Sequence, residues 1–290
     1  RGGWKRSRPG SRRGLAGWGR RMRLILTDID GTILPWGKNE VSERTVEAFH
    51  SALDAGCVVG PASGRGYSWI PRFFGGDAAC CATALATNGM QVYHKGEKVF
   101  EKVLPHDALE KVREIVLAHP HAGMLCFDGA TPLLVAGTVE DLMPLFPSYG
   151  KTCKLAPAVP DAPVVKANVF IGCGERAHRE LAETLNREVD GIDVDLARPG
   201  FSNMMPTGWN KGAAVEYLGS YLGVAPEDVF VFGDADNDLP MFRVVENSVA
   251  VGNATPEAAA AARWHIGPVE SDAVAKAIEA LAQGAFPFTK

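Results

Sequence analysis

The apolar run Leu24-Ile25-Leu26 ends in Asp28-Ile29-Asp30-Gly31-Thr32, and this junction limits the fold more than any other stretch of the chain. A short apolar run stopped by turn chemistry suits a strand buried on both faces, as in the middle of a parallel sheet, although a short buried helix has the same pattern. In a strand, side chains at i and i+2 share a face, so Asp28 and Asp30 are expected to point the same way. Carboxylates that close resist joint ionisation unless a cation lies between them or one keeps its proton. A metal site in which one carboxylate is a nucleophile and the other an acid/base uses both options. Gly31 permits a sharp turn and Thr32 adds a hydroxyl beside the pair. The plainer reading is an acidic turn that closes a strand.

Three later stretches bear on that choice. Pro61-Ala62-Ser63-Gly64-Arg65-Gly66 follows a second apolar run, Cys57-Val58-Val59. A hydroxyl and glycine-freed backbone N–H groups at a strand end suit a phosphate oxygen, and an ordinary Gly-rich turn has the same composition. Asn210-Lys211-Gly212 opens a helical segment, where Lys211 can supply a point charge to a phosphate or simply meet solvent. Val229-Phe230-Val231-Phe232 runs into Gly233-Asp234-Ala235-Asp236-Asn237-Asp238. Acidic and amide side chains beyond a buried strand fit an oxygen site for a hard cation, while Asp238 also reads as the cap of the next helix.

Together these stretches resemble the four motifs of the haloacid-dehalogenase-like superfamily, in family order and at strand ends. The wording D-I-D-G-T-I-L, S-G-R, N-K-G and G-D-A-D-N-D is similar to the Cof-type phosphatases of subclass IIB. Ala86-Thr87-Asn88-Gly89 and Val251-Gly252-Asn253-Ala254 are lesser echoes. The resemblance runs from about Met22 to the C-terminus.

The resemblance implies an Mg²⁺-dependent phosphatase for small phosphomonoesters. Asp28 is then the nucleophile that forms an aspartyl-phosphate, and Asp30 the acid and later the base. Mg²⁺ is implied on the Asp28 carboxylate, the Asp30 backbone carbonyl and Asp234, with Asp238 reached directly or through water. Ser63, Gly64 and Lys211 are implied on the phosphoryl oxygens. Thr32, Arg65, Asn88 and Asn237 are secondary candidates, Asn237 for orienting Lys211 or the phosphate. An acid two residues after the nucleophile favours phosphoryl transfer over dehalogenation. A phosphosugar mutase of the same superfamily and a catalytically silent relative stay open. Trp36 and Trp209 flank these segments and could stack on a ring of the substrate, but packing is the expected role of both.

From Met22 onward strands and helices alternate, the pattern of a Rossmann-like, doubly wound parallel sheet, in which ligands bind beyond the carboxyl ends of the strands. Helices are expected over 41–55, 211–222 and 272–283, and core strands near 57–60, 84–87, 229–232, 248–251 and 264–266. Residues 22–90 and 199–290 are read as the catalytic core. Residues 91–198 mix strand and helix signals without those motifs and are read as an inserted α+β cap. In the resembled family the cap closes over the site and sets substrate choice. Pro144, Pro147, Pro157, Pro160 and Pro163 predict loops within it. The insert also holds Gly172-Cys173-Gly174-Glu175-Arg176-Ala177, a G-x-G-x-x-A match with Asp193 and Asp195 downstream. Alone it reads as a dinucleotide site and an NAD-binding oxidoreductase, or as a tight turn into a helix.

The 290 residues are 46% hydrophobic and 22% charged, ample material for a globular core. The net charge of −4 hides an asymmetry, because residues 1–21 carry eight Lys/Arg and no acid. This basic segment is read as a disordered extension rather than a nucleic-acid-binding arm, and it has no apolar signal-peptide core. The six cysteines form no C-x-x-C pair, so free thiols and a cytoplasmic location are expected, with no membrane or nucleic-acid partner.

Overall fold

The computed structural model describes residues 22–196 and 198–288, so the basic segment 1–21 lies outside the described residues. The chain divides into two compact units. One comprises the residues up to Val99 together with Lys211 onward, and the other spans Phe100–Asn210.

The first unit begins with β1 (Leu24–Thr27), buried along its whole length. Helix α1 (Glu43–Asp54) starts at Ser42, whose hydroxyl accepts from the Thr45 N–H, and ends before Gly56 at φ +81°. β2 (Val58–Pro61) follows. The next strand, β3 (Ala84–Ala86), joins a small sheet with β4 (Gln91–His94) and β5 (Glu97–Glu101), in the order β3-β4-β5. The sequence places a core strand at 84–87, and Ala84 and Ala86 are indeed buried in the core, but β3 joins the end of the β2 segment through a single parallel bridge, Ala62 to Leu85, and forms its ladder with β4. The cause is local. Thr87 and Asn88 both have left-handed backbones, which reverse the chain at once and lay β4 antiparallel along β3.

The second unit contains α2 (His106–Leu117), β6 (Ala122–Asp128), β7 (Thr131–Ala136), α3 (Val139–Leu145), α4 (Pro147–Thr152) and β8 (Lys154–Leu155). It continues through β9 (Ala167–Ile171), α5 (Glu175–Glu188), β10 (Ile192–Val194) and β11 (Phe201–Pro206), forming a six-stranded sheet in the order β10-β11-β9-β6-β7-β8. Two proline expectations are corrected. Pro144 lies inside α3 and Pro147 opens α4, where a missing N–H is tolerated in the first turn. The unit borders fall after Val99, within β5, and after Asn210 rather than after 90 and 198, because β4 and the first residues of β5 stay with β3, and β11 pairs with β9 and β10.

The dinucleotide reading finds no support here. Gly174, at φ +88°, does precede α5. However, β11 lies between β9 and β10 and runs antiparallel to both. Asp195 accepts from Asn203, and Asp193 from the Gly208 N–H, so both acids have structural duties.

The first unit resumes with α6 (Lys211–Leu222), β12 (Val229–Gly233), α7 (Leu239–Val244), β13 (Asn247–Ala250), α8 (Pro256–Ala261), β14 (Trp264–His265) and α9 (Ala273–Ala282). Its sheet runs β14-β13-β12-β1-β2, and every pairing is parallel. Ile25, Phe230 and Phe232 pack with Phe49 of α1 and Ile278 of α9. Leu24, Leu26, Val229 and Val231 point to the opposite face by alternation and are equally buried, so the sheet is covered on both sides. This is the doubly wound core. Among the described residues no helix is long and apolar enough to cross a membrane.

Candidate active site

Parallel register brings the motif residues together. Thr27 is level with Phe232 of β12 and Pro61 of β2, so Asp28, Ser63 and Asp234 all emerge at one edge of the sheet. Asp28 keeps one more sheet bond, its N–H donating to the Phe232 carbonyl at 2.9 Å. The chain then turns: the Ile29 carbonyl accepts from the N–H groups of Thr32, Ile33 and Leu34, and Gly31 adopts φ +82°. Strand alternation therefore stops before Asp30, and the two acids have different partners. Asp28 is buried against Lys211, whereas Asp30 is half-buried and gripped by both arms of the Arg65 guanidinium at 2.9 and 3.0 Å.

Lys211, the first residue of α6, is the centre of the buried set. Its ammonium donates to Asp28 Oδ1 at 2.6 Å and Asp238 Oδ1 at 2.7 Å, and its side chain is 0% exposed. Asp238 spends its other oxygen on the N–H groups of Asp234 and Ala235, at 2.9 and 3.2 Å. It heads α7 but makes no side-chain cap bond there, so its work is to fix the 234–238 turn and the lysine. Asp234 accepts from the Thr32 hydroxyl at 2.7 Å. A Cβ on Gly31 would lie 2.4 Å from Asp234 Oδ2, so only glycine lets the two loops approach this closely.

Asp28 and Asp238 thus share one ammonium, and a third buried carboxylate, Asp234, lies close to both. Burial, opposed by Lys211 and reinforced by Asp238 and Asp234, pushes the Asp28 carboxyl well above its ordinary value. Burial is also the main reason that the Asp234 carboxyl is pushed up to about 6, partly opposed by the Thr32 hydroxyl. For Lys211 the desolvation that favours a neutral amine is outweighed by Asp238 and Asp28, so its charge is held firmly. The remaining negative charge calls for a proton or a cation. Asp28, Asp234 and Asp238 offer oxygens within 4.8 Å of one another, with no nitrogen or sulfur among them, and this set can hold a divalent cation of the hard class.

The second loop packs against an asparagine. The Ser63 hydroxyl accepts from the Arg65 N–H at 3.2 Å, and Gly64 leaves room for Asn88, whose carboxamide a Cβ would approach to 3.1 Å. Asn88 is buried, has a left-handed backbone, and its Oδ1 has no protein partner. Asn237 is half-buried in the same turn as Asp238 but is not one of the ammonium's partners, which are Asp28 and Asp238. Asp236 is exposed. Sequence reasoning gave no role to Asn253, whose amide donates to the Gly31 carbonyl at 2.7 Å while its Oδ1 accepts from Val269 N–H. Its place just after β13, the next strand of the sheet, was the available signal. Packing holds for Trp209, which stacks on Phe100 at 4.6 Å, but not for Trp36, which is 75% exposed.

A sequence model describing haloacid dehalogenase-like hydrolases matches residues 25–278, nearly the whole described chain. The chain belongs to this family. Among its relatives, a putative phosphatase of Bacillus subtilis is 26% identical over 272 residues, covering 89% of this chain and 98% of that protein. The 5-amino-6-(5-phospho-D-ribitylamino)uracil phosphatase of Escherichia coli is 23% identical over 268 residues, covering 92% and 98%. The fold of this haloacid dehalogenase-like hydrolase superposes on a sugar phosphatase of subclass IIB with a TM-score of 0.75 at 19% identity, covering 90% of this chain and 99% of that one.

Proposed function

We propose that this hydrolase is an Mg²⁺-dependent phosphatase of small phosphomonoesters working through an aspartyl-phosphate on Asp28. The observation that carries the reading is the buried Lys211 ammonium held between Asp28 and Asp238, with Asp234 close by. Such a cluster has an excess of negative charge that folding alone gives no reason to bury, and strongly shifted carboxyls in that setting are the mark of a functional site. The relatives named as phosphatases support the same chemistry.

In the first step Asp28 attacks phosphorus, the bond from phosphorus to the ester oxygen breaks, and Asp30 gives that oxygen its proton. Water then attacks the aspartyl-phosphate, passes a proton to Asp30, and releases phosphate with Asp28 restored. Lys211 binds Asp28 through Oδ1 only, which leaves Oδ2 for the attack. Arg65 holds both oxygens of the Asp30 carboxylate between turnovers, so Asp30 leaves that fork and takes a proton from solvent before the first step, and gives the proton gained from water back to solvent when the fork re-forms. Ser63, the Gly64 backbone and Lys211 are assigned to the phosphoryl oxygens, with Asn88 beside them. The carboxylates of Asp28 and Asp234, the Asp30 carbonyl and Asp238 would hold the metal, which supplies charge that lets an anionic nucleophile approach an anionic ester. Residues 100–210 are assigned the cap role of choosing among substrates.

The test is phosphate release from a panel of phosphorylated metabolites and p-nitrophenyl phosphate, with Mg²⁺ and with EDTA. Turnover is expected to need the metal, and Asp28→Asn is expected to lose roughly three orders of magnitude or more of the rate. Absence of turnover on every ester by folded protein overturns the reading.

A further inference from the structure

A second cluster of ligand-type side chains lies outside the phosphatase site. His50 projects from α1, and Asp77 and Cys80 sit on the turn that leads to β3. His50 Nε2 and Asp77 Oδ2 are 2.7 Å apart. Asp77 Oδ1 accepts from the Ala79 N–H at 2.9 Å, which fixes the carboxylate so that its second oxygen faces the imidazole. One atom each from His50, Asp77 and Cys80 lies within 4.8 Å of the other two. Cys80 is wholly buried, while His50 and Asp77 keep 45% and 27% of their side chains exposed.

We infer that His50, Asp77 and Cys80 form a site for a borderline-soft divalent ion such as Zn²⁺, with water as the fourth ligand on the open side. A tetrahedral ion with bonds of about 2.0–2.2 Å to nitrogen and oxygen and about 2.3 Å to sulfur fits three atoms that are already this close. The histidine and carboxylate separate by well under 1 Å to admit it, and the thiol moves inward. Mixed sulfur, nitrogen and oxygen ligation selects a different class of metal from the oxygen-only set of Asp28, Asp234 and Asp238. Binding releases the Cys80 thiol proton to solvent and replaces the hydrogen bond between His50 and Asp77, so affinity rises with pH. The ion ties α1 to the 77–81 turn, and therefore acts on stability rather than on turnover. The plain alternative is an ion pair at a turn that Asp77 caps, since its carboxylate also accepts from the Cys80 N–H and so brings the thiol close, and the metal titration separates the two.

The experiment is titration of the full chain with Co²⁺, whose thiolate charge-transfer absorption cannot arise from the carboxylates of the other site. A band saturating at one equivalent is expected, displaced by Zn²⁺ and absent in Cys80→Ala. His50→Ala, at a half-exposed helical position that leaves the core untouched, is expected to weaken binding by more than the roughly 10- to 100-fold that losing an outer-shell partner costs. Cys81→Ala is expected to keep the band. Zn²⁺ should raise Tm in the parent protein and not in His50→Ala. No thiolate band at saturating Co²⁺, a band surviving in Cys80→Ala, a band abolished by Cys81→Ala, or undiminished binding in His50→Ala each overturns the site. If Cys80→Ala does not fold, the His50→Ala titration decides. None of these outcomes bears on phosphate release.

Discussion

A fully buried ammonium has to be matched by acceptors, and Lys211 is matched by two carboxylates that are themselves buried. Removing one partner from such a set costs far more than the set contributes net, because the charges left behind stay out of water. Lys211→Met leaves Asp28, Asp234 and Asp238 facing one another with no cation. It is expected to destabilise the metal-free protein by about 3–5 kcal/mol in urea denaturation, and to abolish measurable phosphate release. Lys211→Arg is expected not to restore activity, since a planar fork cannot replace a point charge seated between Asp28 and Asp238. Gly31 makes a different demand. With φ +82° and Asp234 Oδ2 only 2.4 Å from where a Cβ would stand, Gly31→Ala forces the two acidic loops apart. The expected result is a loss of stability greater than the roughly 1 kcal/mol set by backbone strain alone, together with loss of the Thr32–Asp234 bond and a higher Mg²⁺ requirement in the activity assay.

At the scale of elements, α1 and α9 are joined by core packing, by the Arg44–Glu279 ion pair, and by one hydroxyl that also caps α1. Ser42 accepts from Thr45 N–H as the cap of α1 and donates to Asp272 Oδ1 at 2.7 Å, where Asp272 precedes α9. Ser42→Ala removes both, and is expected to cost about 1–2 kcal/mol in equilibrium denaturation while leaving turnover unchanged at saturating substrate. The helix expected over 41–55 was legible in the sequence because its signals are local: a serine before an amphipathic run and a glycine after it suffice. The start of α6 at Lys211 and the strands ending at Thr27 and Gly233 were legible for the same reason. What the sequence hid depends on tertiary partners. β3 is buried in the core as its composition predicts, but left-handed Thr87 and Asn88 turn the chain back, so its ladder forms with β4. Pro144 and Pro147 are helix breakers by rule, yet each lies within a helix, Pro147 in the first turn of its own. That Asp30 meets Arg65 while Asp28 meets Lys211 follows from where the β1 strand stops, which period-2 reasoning assumes and cannot test.

Over the whole molecule, the crowded carboxylates make stability depend on pH in a direction opposite to that of an ordinary ion pair. Asp234 titrates near 3.8 in an unfolded chain and is pushed up to about 6 in the fold, chiefly by burial. The folded state therefore holds that proton more tightly than the unfolded state does. The stability it confers is complete below about pH 4 and is lost as the pH rises through 6. A shift of this size corresponds to about 3 kcal/mol at most, and the upward shift of Asp28 acts in the same sense. A divalent cation bound by these carboxylates favours their charged forms, so it removes the penalty where protons are scarce. With EDTA present, the protein is expected to lose stability between about pH 5 and about pH 8, while Asp234→Asn, which has no proton to lose at that position, follows a flatter course. Adding Mg²⁺ is expected to stabilise the parent protein far more at the higher pH than at the lower, and Asp234→Asn only weakly at either. Parallel urea titrations of the two proteins, with and without metal, measure all of these differences, and equal pH slopes for the two metal-free proteins would show that the buried charge at Asp234 is compensated by some other means.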